Sequence, residues 1–201
     1  MSRGLKIALG VVVAILLVIA IFISWAVASY NNIVKADQAV TAGWSQVENQ
    51  YQRRYDLIPN LVETVKGFAK QEKEVLLGVT EARASVGSLK VTPDVLRDPK
   101  AFSQFQKAQD GLSSALQRLL VVTENYPQLK SNENFLALQS QLEGTENRIA
   151  VERRRFNEAV QSYNTMILQF PGSIIAGFGN FKEAQYFKSV SGAEQAPQVK
   201  F

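Results

Sequence analysis

Arg53, Asp56, Asn60, Glu63 and Gly67 follow one another in steps of three or four residues, so on a helix they form a single polar line. Two carboxylates on that line, Asp56 and Glu63, are of the type used for general acid–base work. A second cluster, Arg148, Arg153, Arg154 and Arg155, could hold an anion, or a lipid headgroup if it lay near a membrane; its other reading is a solvated face paired with Glu146 and Glu152. Beyond these groups the chemistry is narrow, because the chain has no histidine and no cysteine. Without imidazole or thiolate there is no Ser-His-Asp or Cys-His nucleophile, no disulfide and none of the usual zinc ligand sets. Nothing around Asp56 and Glu63 supplies a metal site or an evident pocket. GFGNF at 177–181 lacks both the spacing and the lysine of a phosphate loop. The expectation is a non-enzymatic protein with no catalytic, cofactor-binding or metal residues.

The polar line must be positioned by a helix that contains Pro59. A proline inside a helix removes one hydrogen bond and crowds the carbonyl four residues earlier, at a cost of about 3 kcal/mol. Two readings stay open. In one, Pro59 only bends the helix around its bundle and the charges are solvated. In the other, the carbonyl of Tyr55 and the polar line, with Gly67 allowing close approach, form an interface with a second copy or a partner.

Apolar residues from Ile33 through Ala36, Val40, Trp44, Val47, Tyr51, Tyr55, Ile58, Val62 and Val65 to Val79 and Val86 keep a near-heptad spacing whose phase does not reset at Pro59. This predicts one long kinked helix from the membrane to about Leu89. A second stripe runs from Phe102 through Gln109 and Leu116 to Thr123, with Asp98 as N-cap and Pro99 at the first helical position. A third runs from Phe135 to Phe170 and is stopped by Pro171-Gly172. No segment alternates with period two. The fold class is therefore all-α: an N-terminal transmembrane helix, then an antiparallel bundle of three long helices, or four if Pro59 divides the first.

Ile7 to Val27 carries no charged residue and is long enough to cross a bilayer. Arg3 and Lys6 with Ala26-Val27-Ala28 also fit a cleaved signal peptide, but the apolar run exceeds a signal's usual length, which favours a retained anchor. The basic residues before the span put the N terminus in the cytoplasm and the bundle outside it. A formal charge of +4, to which Arg3 and Lys6 contribute two, is too small to argue for nucleic acid. The organisation read from the chain is an anchor at 1–28, a bundle at 29–172, and at 173–201 an apolar, aromatic segment that docks on the bundle or lies on a membrane, then a tail disordered from Lys188.

YNNIV at 30–34, GWSQVENQYQRRYDLIPNLVETVKGFAKQE at 43–72, ENYPQLKS at 124–131 and TENRIAVERRRFNEAVQSYN at 145–164 carry a resemblance. In these stretches the sequence resembles the LemA family of bacterial membrane-anchored helical proteins. It departs in detail, with Gly43, Phe68 and Gln71 where alanine, tyrosine and histidine are common. The resemblance implies a helical bundle behind a membrane helix at the inner membrane and, from a relative that takes part in building magnetosome membranes, work at a lipid bilayer. Together with the absence of catalytic groups, this gives the expectation of a scaffold that self-associates as a homo-oligomer or organises a membrane-protein partner. The alternative is an extracytoplasmic sensor or adaptor that signals through a separate membrane partner.

Overall fold

The computed structural model describes residues 3–89 and 93–188. Helix α1 (Arg3–Phe68) runs from the apolar segment into the bundle, and α2 (Lys73–Gly87) turns back along it. A 3₁₀ turn (Pro93–Arg97) leads to α3 (Pro99–Thr123), the single turn α4 (Pro127–Lys130) joins α3 to α5 (Glu133–Leu168), and α6 (Gly172–Phe178) closes the base. Helices α1, α2, α3 and α5 run up, down, up and down, with α1 packed along α5 and α2 along α3. No strand occurs among the described residues, and the expected all-α bundle is what forms. At 1.5 Å per residue α1 alone is about 100 Å long.

The first helix is continuous through Pro59 but does not reach Leu89. It ends at Phe68, and the chain reverses over 69–72, where the Glu72 N–H donates to the Ala69 carbonyl and the Leu76 N–H to that of Glu72. Five polar residues, Lys70 to Glu74, interrupt the stripe here, and a straight continuation would carry Leu76 and Val79 away from any partner. The reversal buries both against Leu61 and Val65 instead. Ala69 and Leu76 are seven residues apart, so the heptad phase passes through the turn unchanged and conceals it.

Elsewhere the stripes match the burial. Every position from Phe102 to Thr123 named above is buried, and Asp98 accepts from the N–H groups of Lys100 (2.8 Å) and Ala101 (3.2 Å) as a helix cap. Asn132 caps α5 by accepting from the Phe135 N–H (3.0 Å). The third stripe is buried or half-buried from Phe135 to Ile167, but Phe170 lies past the helix end and is exposed.

The core has two halves. Next to the apolar segment, Trp44, Phe102, Phe105, Phe156 and Phe187 meet in one aromatic cluster, with centroids 4.9–6.4 Å apart. The far half is aliphatic: Leu61, Leu112, Leu116, Leu119, Leu129 and Leu142 around Ile58 and Val65. Residues 181–188 rise as an extended strap into the aromatic half, burying Ala184 and Phe187. The Asn164 amide donates to the Ala184 carbonyl and accepts from its N–H, both at 2.9 Å, and Asn157 does the same for Phe187. Gln106 clamps Lys188 likewise (2.7 and 3.2 Å). An extended segment cannot satisfy its own backbone, so side-chain amides do it. The apolar segment after 173 thus docks on the bundle. Lys188 is held, while the rest of the tail read as disordered lies outside the described residues.

Candidate functional site

The polar line faces outward. Arg53, Asp56, Pro59, Asn60, Glu63 and Gly67 are all exposed, on the side of α1 turned away from its packed neighbours. Asp56 accepts from the Gln52 amide (2.7 Å), and Glu63 pairs with Lys66 (3.1 Å). The pairing partners are thus Gln52 and Lys66, not the Arg53–Asp56 and Asn60–Glu63 neighbours that spacing alone would join. Space beside Gly67 is open, so another surface could come close there. Asp56 and Glu63 stand in solvent two helical turns apart, without a shared cleft, and among the described residues no group of three acidic side chains converges as a metal site.

The carbonyl freed by Pro59 is already used. Arg83 of α2 donates its Nε–H to the Tyr55 carbonyl (3.3 Å) and places its guanidinium 3.7 Å from the centroid of the Tyr55 ring. This corrects the expectation that the carbonyl waits for a partner. The proline is tolerated because a neighbouring helix replaces the lost N–H with a charged donor, which gives a stronger hydrogen bond than a neutral one.

One position along from Arg53, a step of about 100 degrees around the helix, Arg54 points into the bundle and is 1% exposed. Its guanidinium donates to Ser113 Oγ (2.6 Å), Glu146 Oε1 (2.8 Å) and the Gln109 side-chain oxygen, while its Nε is buried without a hydrogen-bond partner. This layer spans α1, α3 and α5 where the aromatic half meets the aliphatic half. Beside it, Arg153 donates to Tyr51 Oη (2.6 Å) and to Asp110 (2.9 Å) and lies 4.8 Å from the Phe187 centroid. Burial pushes the Tyr51 phenol up to about 12, against the pull of Arg153. A cleft of about 350 Å³ opens next to this layer, bounded by Glu48, Tyr51, Tyr55, Gly87 and Gln109. Burial raises the Glu48 carboxyl, partly offset by a hydrogen bond with Trp44.

Nothing in the local spacing of the sequence joins Arg54, Gln109, Asp110 and Glu146 as a set. Gln109 inside an otherwise apolar stripe was the one available signal. Of the arginine cluster, Arg153 is committed inside the fold and Arg155 pairs with Glu152 (2.9 Å), while Arg148 and Arg154 are exposed. Arg153 meets α1 at Tyr51, about 36 Å along the helix from Val27. That height removes the nearness to a membrane on which a headgroup contact depended. An anion contact at Arg148 and Arg154 does not need it.

The fold and these features define a class: an up-down-up-down helical bundle whose first helix extends into an exposed apolar segment long enough to span a membrane. The family model of the LemA family matches residues 43–201, and the chain belongs to that family. It is similar to magnetosome protein MamQ of Magnetospirillum gryphiswaldense, 29% identical over 203 residues that cover 93% of this chain and 74% of the relative. It is likewise similar to magnetosome protein MamQ 2 of Paramagnetospirillum magneticum (29% over 193 residues, 88% and 71%). Protein LemA of Metamycoplasma hominis matches at 22% over 161 residues, 80% of this chain and 69% of that protein.

Proposed function

We propose that this protein is a non-enzymatic scaffold, held in the bacterial cell membrane by one span with its N terminus in the cytoplasm and its bundle outside. It acts through self-association or by organising a membrane-protein partner. The observation that carries this reading is α1 itself. One uninterrupted helix joins the membrane-length segment to the bundle core, and its outward face carries Arg53, Asp56, Asn60 and Glu63, none of which the fold uses in a buried contact. A surface rigidly fixed relative to the bilayer suits an assembly contact. The similarity to relatives named as magnetosome proteins supports a structural role of this kind.

The test is cross-linking of the full chain in native membranes. The expected result is a ladder of like subunits, or one discrete heavier species, that falls severalfold with Arg53→Ala or Asp56→Ala while the purified variants keep wild-type helicity. A charge left unpaired at a desolvated contact costs about 2–5 kcal/mol, enough for such a loss. Unchanged cross-linking in both variants would remove the polar line from the mechanism, and a strictly monomeric protein with one captured membrane partner would favour the sensor or adaptor reading.

A further inference from the structure

The base of the bundle exposes apolar side chains that the fold has no use for. Phe178 is 89% exposed, Phe170 80% and Ile174 50%. Ile174 and Phe178 lie four residues apart on one face of α6, whose other face places Ala176 and Ile175 in or against the aromatic core. The sequence of α6, GSIIAGF, contains no charge at all. The corner leading into it is tight: a Cβ on Gly172 would stand 2.2 Å from the Met166 carbonyl oxygen, so glycine lets the chain fold back there.

The height of this corner is set by α1. Phe170, Pro171 and Gly172 line one cleft with Ser29, Asn32 and Ile33. Phe181 packs on Tyr30, with ring centroids 5.5 Å apart. If Val27 marks the edge of the hydrocarbon, Tyr30 stands about 4.5 Å and Ile33 about 9 Å beyond it. The headgroup layer of a bilayer is roughly 5–8 Å thick on each side. The exposed corner therefore sits at headgroup depth, continuous with the apolar sleeve of the span, and Lys35 borders the same cleft on the side away from the hydrocarbon.

We propose that Phe170, Ile174 and Phe178 form a wedge that inserts into the phospholipid interface beside the span, so that the bundle is seated on the bilayer at a fixed height and rotation instead of standing clear of it. Short apolar faces of this kind lie in the headgroup–acyl boundary, and a nearby lysine favours anionic headgroups. The inference rests on the membrane-anchor reading and adds a second point of contact to it.

The test uses the full chain, which has no native cysteine, in vesicles of phosphatidylethanolamine and phosphatidylglycerol. Single cysteines at Phe178→Cys and Ile174→Cys carry a fluorophore, with Val18→Cys reporting on the span and Lys70→Cys on the far end of the bundle. The expected result is that lipids carrying a shallow nitroxide quench the labels at 178 and 174 severalfold more than the label at 70, while deep nitroxides quench the label at 18. Quenching at 18 with labels at 178 and 174 no different from that at 70 would overturn the wedge and leave the anchor standing. Labels at 178 and 174 shielded from aqueous iodide yet untouched by lipid nitroxides would overturn it in favour of a second copy. Loss of quenching at 18 would overturn the anchor and the wedge together.

Discussion

The two halves of the bundle share α1, α3 and α5 but fill the fourth position differently. In the far half it is a helix, α2, whose Leu76 and Val79 join a core of leucines and valines. In the half next to the span α2 is absent, its last turn ending at Gly87 against the Tyr55 hydroxyl, and the position is taken by the extended strap of residues 181–188. A helix satisfies its own backbone and needs only an apolar stripe from its neighbours. The strap needs donors and acceptors, which Asn157, Asn164 and Gln106 provide, and it brings less bulk. Trp44, Phe102, Phe105 and Phe156, each able to bury about 150–250 Å², make up the volume. The Arg54 layer marks where one solution gives way to the other.

Removing that layer should have the largest effect. Arg54→Ala leaves buried Gln109 without its donor, removes the cation from half-exposed Glu146 and empties the space the side chain filled, and should cost about 2–4 kcal/mol in denaturant unfolding of the purified protein. If the layer couples the halves, amide hydrogen exchange should also show them losing protection separately. A loss below about 1 kcal/mol would mean the halves meet without need of it.

Alkaline pH should act on the aromatic half next. The folded pKa of Tyr51 is raised from 10.0 to about 12, so the folded state keeps a proton that the unfolded state releases. The associated stability is fully present below pH 10 and is lost as pH rises from 10 towards 12, about 2–3 kcal/mol in all. Tyr163, also raised by burial, adds in the same direction. Denaturant midpoints measured across this window should fall, and Tyr51→Phe should flatten the fall. An equal slope in the variant would assign the loss to other groups.

The strap comes third. Asn164→Ala leaves the buried N–H and carbonyl of Ala184 unpaired and should cost about 1–3 kcal/mol. Exchange should quicken at residues 181–188 and in the aromatic half while the leucine half keeps its protection. Uniform loss of protection would show that the halves unfold as one unit.

Smallest of all, Arg53→Ala and Asp56→Ala should change the stability of the purified protein by no more than about 0.5 kcal/mol. Set against Arg54→Ala, one residue away, this contrast measures how sharply α1 divides an assembly face from a structural one. A large loss from Arg53→Ala would place that side chain inside the fold.

The helical class, the membrane-length segment, the stripes of α3 and α5, the Asp98 cap and the outward direction of the polar line are all legible in the order of the residues. Each of these depends on local periodicity or on one residue's own backbone, and such signals survive without knowledge of neighbours. The remaining features depend on contacts between distant parts of the chain. The turn at 69–72 was hidden because its length preserves the heptad phase, and it forms because Leu76 and Val79 can be buried only by folding back on α1. Arg54 differs from Arg53 by one step of about 100 degrees around the helix, and its burial follows from Ser113, Gln109 and Glu146 arriving from helices far along the chain. The answer to Pro59 likewise came from Arg83, because a hydrogen bond between residues 28 apart leaves no trace in local spacing.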